Sequence, residues 1–241
     1  MNHVTNKQQG FTLVELLLAM TFISVLLLAI AMTVIQVGSM YNRGMTLKET
    51  NQAARDITAD LQRSILTSSA FSMTDDYVVH PTDGYGRVCL GTYTYIWNLG
   101  RTPAAQTVKY LAPSKASERI NLVKITDRDK AYCVKDASGN LTQKNVLAVD
   151  TDQDRVKEQL LSGDHSLVIY KFALASDTVN AADSLTGQQL YQLQFSISTN
   201  NLAAIDAATG TCLPPGNINS DLNYCSVQDF SLVVRAGNRF N

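Results

Sequence analysis

The 241 residues allow one large domain or two small ones, and with the apolar N-terminal run set aside about 175 remain, enough for a single sizeable core. Lys and Arg number 20 against 21 Asp and Glu, a formal net charge of −1, which excludes a protein held to nucleic acid by its overall charge.

The first organised stretch is Gly10-Phe11-Thr12-Leu13-Val14-Glu15, followed at once by an apolar run from Leu16 to Val37. About 20 residues at 1.5 Å each cross the hydrocarbon core of a bilayer, so this run is long enough. It carries one carboxylate, Glu15, near its start. An isolated carboxylate in a spanning helix costs about 3 kcal/mol and calls for a partner. A cut that made Phe11 the new N-terminus would supply one. An ordinary secretory signal has an apolar core of about 7 to 15 residues and a small-residue cleavage site; this run is too long and has no such site. A plain anchor leaves Glu15 unexplained.

A short polar leader containing Lys7 and ending in Gly10, then Phe-Thr-Leu-Val-Glu and an uninterrupted apolar run, resembles the N-terminal signal of type IV prepilins and the related pseudopilins. The resemblance implies that a prepilin peptidase cuts between Gly10 and Phe11, that Phe11 is N-methylated, and that Glu15 steers assembly by meeting the Phe11 ammonium of a neighbour. Losing Lys7 with the leader takes Lys plus Arg from 20 to 19 and the charge from −1 to −2. Charge alone does not orient the span, because Lys7 precedes it while Arg43, Lys48 and Arg55 follow it. The resemblance implies the N-terminus inside and the chain beyond about residue 38 outside.

Past the span, Leu47, Ala54, Ile57, Leu61 and Ile65 recur at helical spacing, with Lys48, Arg55, Asp56, Asp60 and Arg63 mostly elsewhere on the wheel. One helix from Phe11 to Leu66 is expected, some 80 Å long at 1.5 Å per residue. Residues 11–37 would be its transmembrane and filament-core half, and residues 38–66 the amphipathic half that lies on the molecule's own head. Gly38 and Gly44 fall where the halves meet and are expected to interrupt the helix, as a membrane-exit kink or as a stretch that unwinds during assembly.

Residues 67–241 form the expected head. Turn-forming residues as far as Arg87 predict a loop, in which Tyr77, His80 and Tyr85 are exposed-contact candidates or a packed aromatic edge. From Val88 the period changes to two, and Val88–Trp97, Ile120–Ile125 and Ala131–Lys135 read as strands. A turn over 136–140, a short strand near Asn145–Val149, and strands at Ser166–Leu174, Gln189–Thr199 and Gln228–Ala236 complete an antiparallel sheet packed on the half-helix. A short helix is expected from a cap at 151–154, with Val156 and Leu160 on one face and Gly163 ending it. Asp150, Asp152 and Asp154 also have the alternation of a calcium loop. That loop is incomplete, with Arg155 where Gly is required and Leu161 where a bidentate Glu belongs, so no metal and no cofactor is expected.

Cys89, Cys133, Cys212 and Cys225 are widely spaced, with no C-x-x-C pair and no histidine nearby to complete a zinc site. In an exported domain they read as two disulfides. Of three pairings, Cys89 with Cys133 and Cys212 with Cys225 are expected, each joining segments expected to be neighbours, and the second closing a ring worth about 3 kcal/mol in the chain-entropy model. The loop Ala203–Tyr224, so closed, resembles the disulfide-bounded loop near the C-terminus of many pilins, commonly a surface and subunit-contact element.

No nucleophile elbow, zinc-protease motif or phosphate loop is present, and His3, His80 and His165 are far apart. Asp164-His165-Ser166 are consecutive, whereas a triad is assembled across a fold. The chain therefore reads as a non-enzymatic α+β, pilin-like subunit, a long helix packed on an antiparallel sheet. The resemblance implies other pilin subunits, the prepilin peptidase and an inner-membrane assembly platform as partners. It places the chain in the cytoplasmic membrane before assembly and in an extracellular filament afterwards. A long, loop-rich, four-cysteine head looks like a minor pilin. A type II secretion pseudopilin, a competence filament subunit and an adhesin for a surface or host-cell receptor are the alternatives. A basic strip would favour competence, and the sequence offers only scattered Lys109, Lys115, Lys124, Lys130, Lys135 and Lys144.

Overall fold

Residues Leu13–Thr67 form one unbroken helix, α1. It belongs to a computed structural model that describes residues 11–80, 85–100, 122–134, 157–161, 167–176, 187–206 and 208–237. Ser68 ends the helix in extended backbone, its N–H and Oγ both donating to the Ile65 carbonyl. Gly38 and Gly44 do not interrupt it, and a Cβ at either would meet nothing within 4 Å. Each glycine costs about 1 kcal/mol, too little to break a helix that continues for many turns on both sides.

The second half of α1 buries a stripe of Ala54, Ile57, Leu61 and Ile65. Toward the span the stripe is continued by Thr46 and Thr50, while Leu47 is only half-buried. Threonines can be buried there because their hydroxyls are satisfied, that of Thr46 shared between the Asn42 and Asn223 carbonyls and that of Thr50 on the Thr46 carbonyl.

Among the described residues, eight strands make two antiparallel meanders. The first sheet holds β1 (Tyr77–His80), β2 (Tyr85–Cys89), β3 (Tyr93–Asn98), β4 (Leu122–Thr126) and β5 (Lys157–Gln159), paired in that order. The second holds β6 (Leu167–Ser176), β7 (Gln189–Thr199) and β8 (Val227–Ala236). A parallel bridge from Leu99, just past the end of the central strand β3, to Ile169 of β6 joins the two sheets. Trp97, Leu122, Ile169, Phe172, Phe195 and Val234 enclose one core with the α1 stripe. Trp97 stacks on Phe172 at 4.0 Å, and opposite it Gly86 has no room for a Cβ, which would run into the indole.

Several expectations are corrected. The stretch to Arg87 is not all loop, because Tyr77–His80 and Tyr85–Cys89 pair with each other. Tyr77 is no exposed contact: its hydroxyl accepts the Leu174 N–H at 3.1 Å and its ring faces Trp97. His80 and Tyr85 lie on these strands by their backbone. Val88–Trp97 is two strands, folded back at Gly91, whose φ of +90° suits glycine. Ala131–Cys133 is a 3-10 turn, because Lys130 adopts φ 50° and Asp127 accepts the Tyr132 N–H, bending a stretch that β propensity alone would extend. Lys157–Gln159 is strand rather than helix, held by its ladder to β4, where tertiary pairing outweighs the cap signal. The turn at 136–140, the strand near 145–149, the cap at 151–154 with Asp150, Asp152 and Asp154, and Asp164-His165-Ser166 lie outside the described residues.

Cys89 is bonded to Cys133 and Cys212 to Cys225. Around the first bond, Asp76 accepts the Cys89 N–H on its carbonyl and pairs through its carboxylate with Lys130 at 2.8 Å. The second closes the loop between β7 and β8, packed under Tyr170 with Ala204 and Ile205. A bulge at Tyr170 in β6 shifts the register and turns that ring toward the loop.

Candidate functional site

Every side chain from Phe11 to Gly38 is exposed, including Leu13, Leu17, Phe22, Leu28, Ile35 and Val37. So much contiguous apolar surface is stable only against lipid or other protein. The polar groups within it are closed off. Thr21, Ser24 and Thr33 each donate to a carbonyl three or four residues back, so none demands water.

Glu15 is the one charged residue between Thr12 and Asn42. Thr12 is the helix N-cap, and its N–H and hydroxyl both donate to Glu15 Oε2, at 3.0 and 2.9 Å. The Glu15 N–H in turn donates to Thr12 Oγ1 at 3.3 Å. This reciprocal capping box gives the carboxylate a partner in its own chain and satisfies orphan donors of the first turn. Oε1 takes no hydrogen bond from the described residues and is free for an incoming cation. Phe11 is 87% exposed beside it, while Gly10 lies outside the described residues. The sequence reading missed the role of Thr12, although threonine three residues before glutamate is the capping-box pattern.

Residues 5–35 match the family model of the prokaryotic N-terminal methylation motif. The chain has the N-terminus of a type IV pilin or pseudopilin-family prepilin. The comparison with curated proteins and the comparison with solved structures each returned no match. The motif implies processing by a prepilin peptidase and assembly with other pilin subunits, and it speaks for a structural role. Together with the apolar helix it fits a membrane-anchored prepilin that later joins a surface filament.

Polar contacts among the described residues hold the head on α1 at both ends and between them. Asp60 accepts Lys124 Nζ at 2.6 Å and the Tyr95 hydroxyl at 2.7 Å, with Ser64 at 2.6 Å from the same hydroxyl. Burial pushes the Tyr95 phenol far above its ordinary range; the Ser64 hydrogen bond offsets part of this and Asp60 adds to it. At the far end, the Gly237 N–H donates to the Ser68 carbonyl. Near the span, Thr46 Oγ1 donates to the Asn223 carbonyl and the Asn42 amide to the Tyr224 hydroxyl, so the disulfide loop touches α1 just beyond its bare half. Sequence periodicity could not find these, because each joins residues far apart in the chain.

Lys124 and Lys130 of the scattered lysines are engaged with Asp60 and Asp76, and Lys109, Lys115, Lys135 and Lys144 lie outside the described residues. Among the described residues no group of three or more His, Cys, Asp or Glu side chains is placed to hold a metal.

Proposed function

We propose that the chain is a minor subunit of a type IV pilus, cut between Gly10 and Phe11, methylated at Phe11 and built into the filament through the bare half of α1. The observation that carries this reading is the match over residues 5–35 on a helix whose first half is exposed on every side. Before assembly that half lies in the cytoplasmic membrane, with the leader inside. Lipid and neighbouring helices are both apolar, so transfer between them costs little hydrophobic energy and the electrostatics of the helix start can set register. Glu15 Oε1 then receives the Phe11 ammonium of a neighbour while Oε2 stays on Thr12, so neither charge is buried alone. The size of the head and its two disulfides support a minor subunit placed among smaller ones.

Fractionation of the native host tests the reading. The protein is expected in sheared surface filaments, well below the abundance of another pilin, and Glu15→Val is expected to leave it processed but absent from them. Confinement of the wild-type chain to the membrane or periplasm would instead make it a pseudopilin.

A further inference from the structure

The loop between Cys212 and Cys225 carries apolar side chains that its own fold leaves in solvent. Ile218 is 98% exposed at a turn closed by the Ser220 N–H on the Asn217 carbonyl, and Leu222 and Tyr224 are exposed beside it in sequence. The one charge between Leu213 and Tyr224 is Asp221. Its carboxylate accepts from the Tyr224 N–H and the Asn201 amide, within the loop's own surroundings.

Topology fixes where this loop sits. Asn223 and Tyr224 touch α1 at Thr46 and Asn42, and Gly237 touches it at Ser68. From Thr46 to Ser68 the helix rises about 33 Å, and the ten residues of β8 span about the same. β8 therefore runs beside α1 in the same direction, and the loop that precedes it lies at the end of the head nearest the apolar run. That run ends at Val37, and Asn42 is about 7.5 Å further along the helix. The headgroup layer on one side of a bilayer is about 5–8 Å thick. α1 is continuous here, so when its first half spans a bilayer, Asn42 and what is bonded to it stand at headgroup depth. Met40 and Tyr41, both exposed, face the same layer.

We propose that this disulfide-closed loop is a membrane-resting surface, with Ile218, Leu222 and Tyr224, together with Tyr41 of α1, entering the headgroup layer of the bilayer that anchors the chain before assembly. The proposal rests on the reading of α1 as a membrane anchor. Tyrosines suit this layer because their rings are apolar and their hydroxyls are not. The loop's exposed tip, Pro214 to Asn219, has no Lys or Arg, so contact is apolar and does not require anionic lipid. The disulfide and the bonds to Asn42 and Thr46 hold the head close over the membrane, where release into a filament must lift it away.

The test uses the full chain in phosphatidylcholine vesicles whose acyl chains carry bromine near the headgroup. Trp97, the one native tryptophan, is fully buried, so the parent gives a constant background. Ile218→Trp is expected to be blue-shifted and quenched several-fold more than Val233→Trp, an exposed position on β8 close to the Ser68 end. Equal and weak quenching of the two overturns the proposal. So does a blue shift of Ile218→Trp that grows with protein density without quenching, which would assign the loop to a second copy of the chain. Flotation of the parent with the vesicles checks the anchor separately: a chain that does not float refutes the anchor and the resting surface together, whereas one that floats with position 218 unquenched refutes the resting surface alone.

Discussion

The two halves of α1 have the same backbone and opposite surroundings. From Leu13 to Tyr41 the side chains are almost all apolar and nearly all exposed, whereas from Asn42 to Thr67 charged residues surround a stripe buried against the two sheets. The comparison shows that continuity of the helix and distribution of its contacts are separate properties. Hydrogen bonds carry the backbone through both, but only the second half belongs to the head. The first half is a module whose covering must come from outside the chain.

Substitution in one half and then the other should break the comparison most sharply. Leu61→Ala is expected to lower the stability of the head by about 3 kcal/mol, because the residue is 1% exposed in the core. Leu17→Ala, at 56% exposure, should leave the head's Tm in detergent unchanged. Equal losses would mean that the two halves are not independent. Asp60→Ala should cost about 2 kcal/mol by denaturant titration, since it strands the largely buried Lys124 ammonium and removes a Tyr95 partner. A smaller effect of opposite sign tests continuity at the junction. Gly44→Ala should stabilise the head-proximal helix by about 1 kcal/mol, because the site is helical and open; a loss there would indicate a bend that needs glycine.

The smallest effect is at high pH. Tyr95 has a folded-state pKa raised by burial, so its contribution is fully present below the unfolded phenol value of about 10 and is lost as pH rises above it, where only the unfolded chain ionises readily. Tm measured from pH 8 to pH 11 should therefore fall at the alkaline end, and fall less in Tyr95→Phe. Burial also raises Tyr77 and Tyr191, which will keep some slope in that variant.

The elements legible in the sequence were those whose pattern is local. The apolar run, the stripe Ala54, Ile57, Leu61 and Ile65, and the strands β6 to β8, each ten or eleven residues rich in apolar side chains, run far enough to declare themselves. The elements missed owe their conformation to a partner. β1 and β5 have four and three residues and exist through their ladders to β2 and β4. The Ala131–Cys133 turn depends on Asp127. At the candidate site, Glu15 is visible in the sequence as an anomaly in an apolar run, while the capping role of Thr12, three residues away, which holds one of its oxygens, is the part the sequence reading missed. The contacts of Asn42 and Thr46 with the disulfide loop span more than 170 residues of sequence, beyond the reach of periodicity.

The most direct measurement is the intact mass and N-terminal sequence of the protein recovered from filaments sheared off its native host. The account predicts a chain of residues 11–241 carrying one added methyl group on Phe11, with both disulfides formed. A chain in that fraction still beginning at Met1 would contradict it.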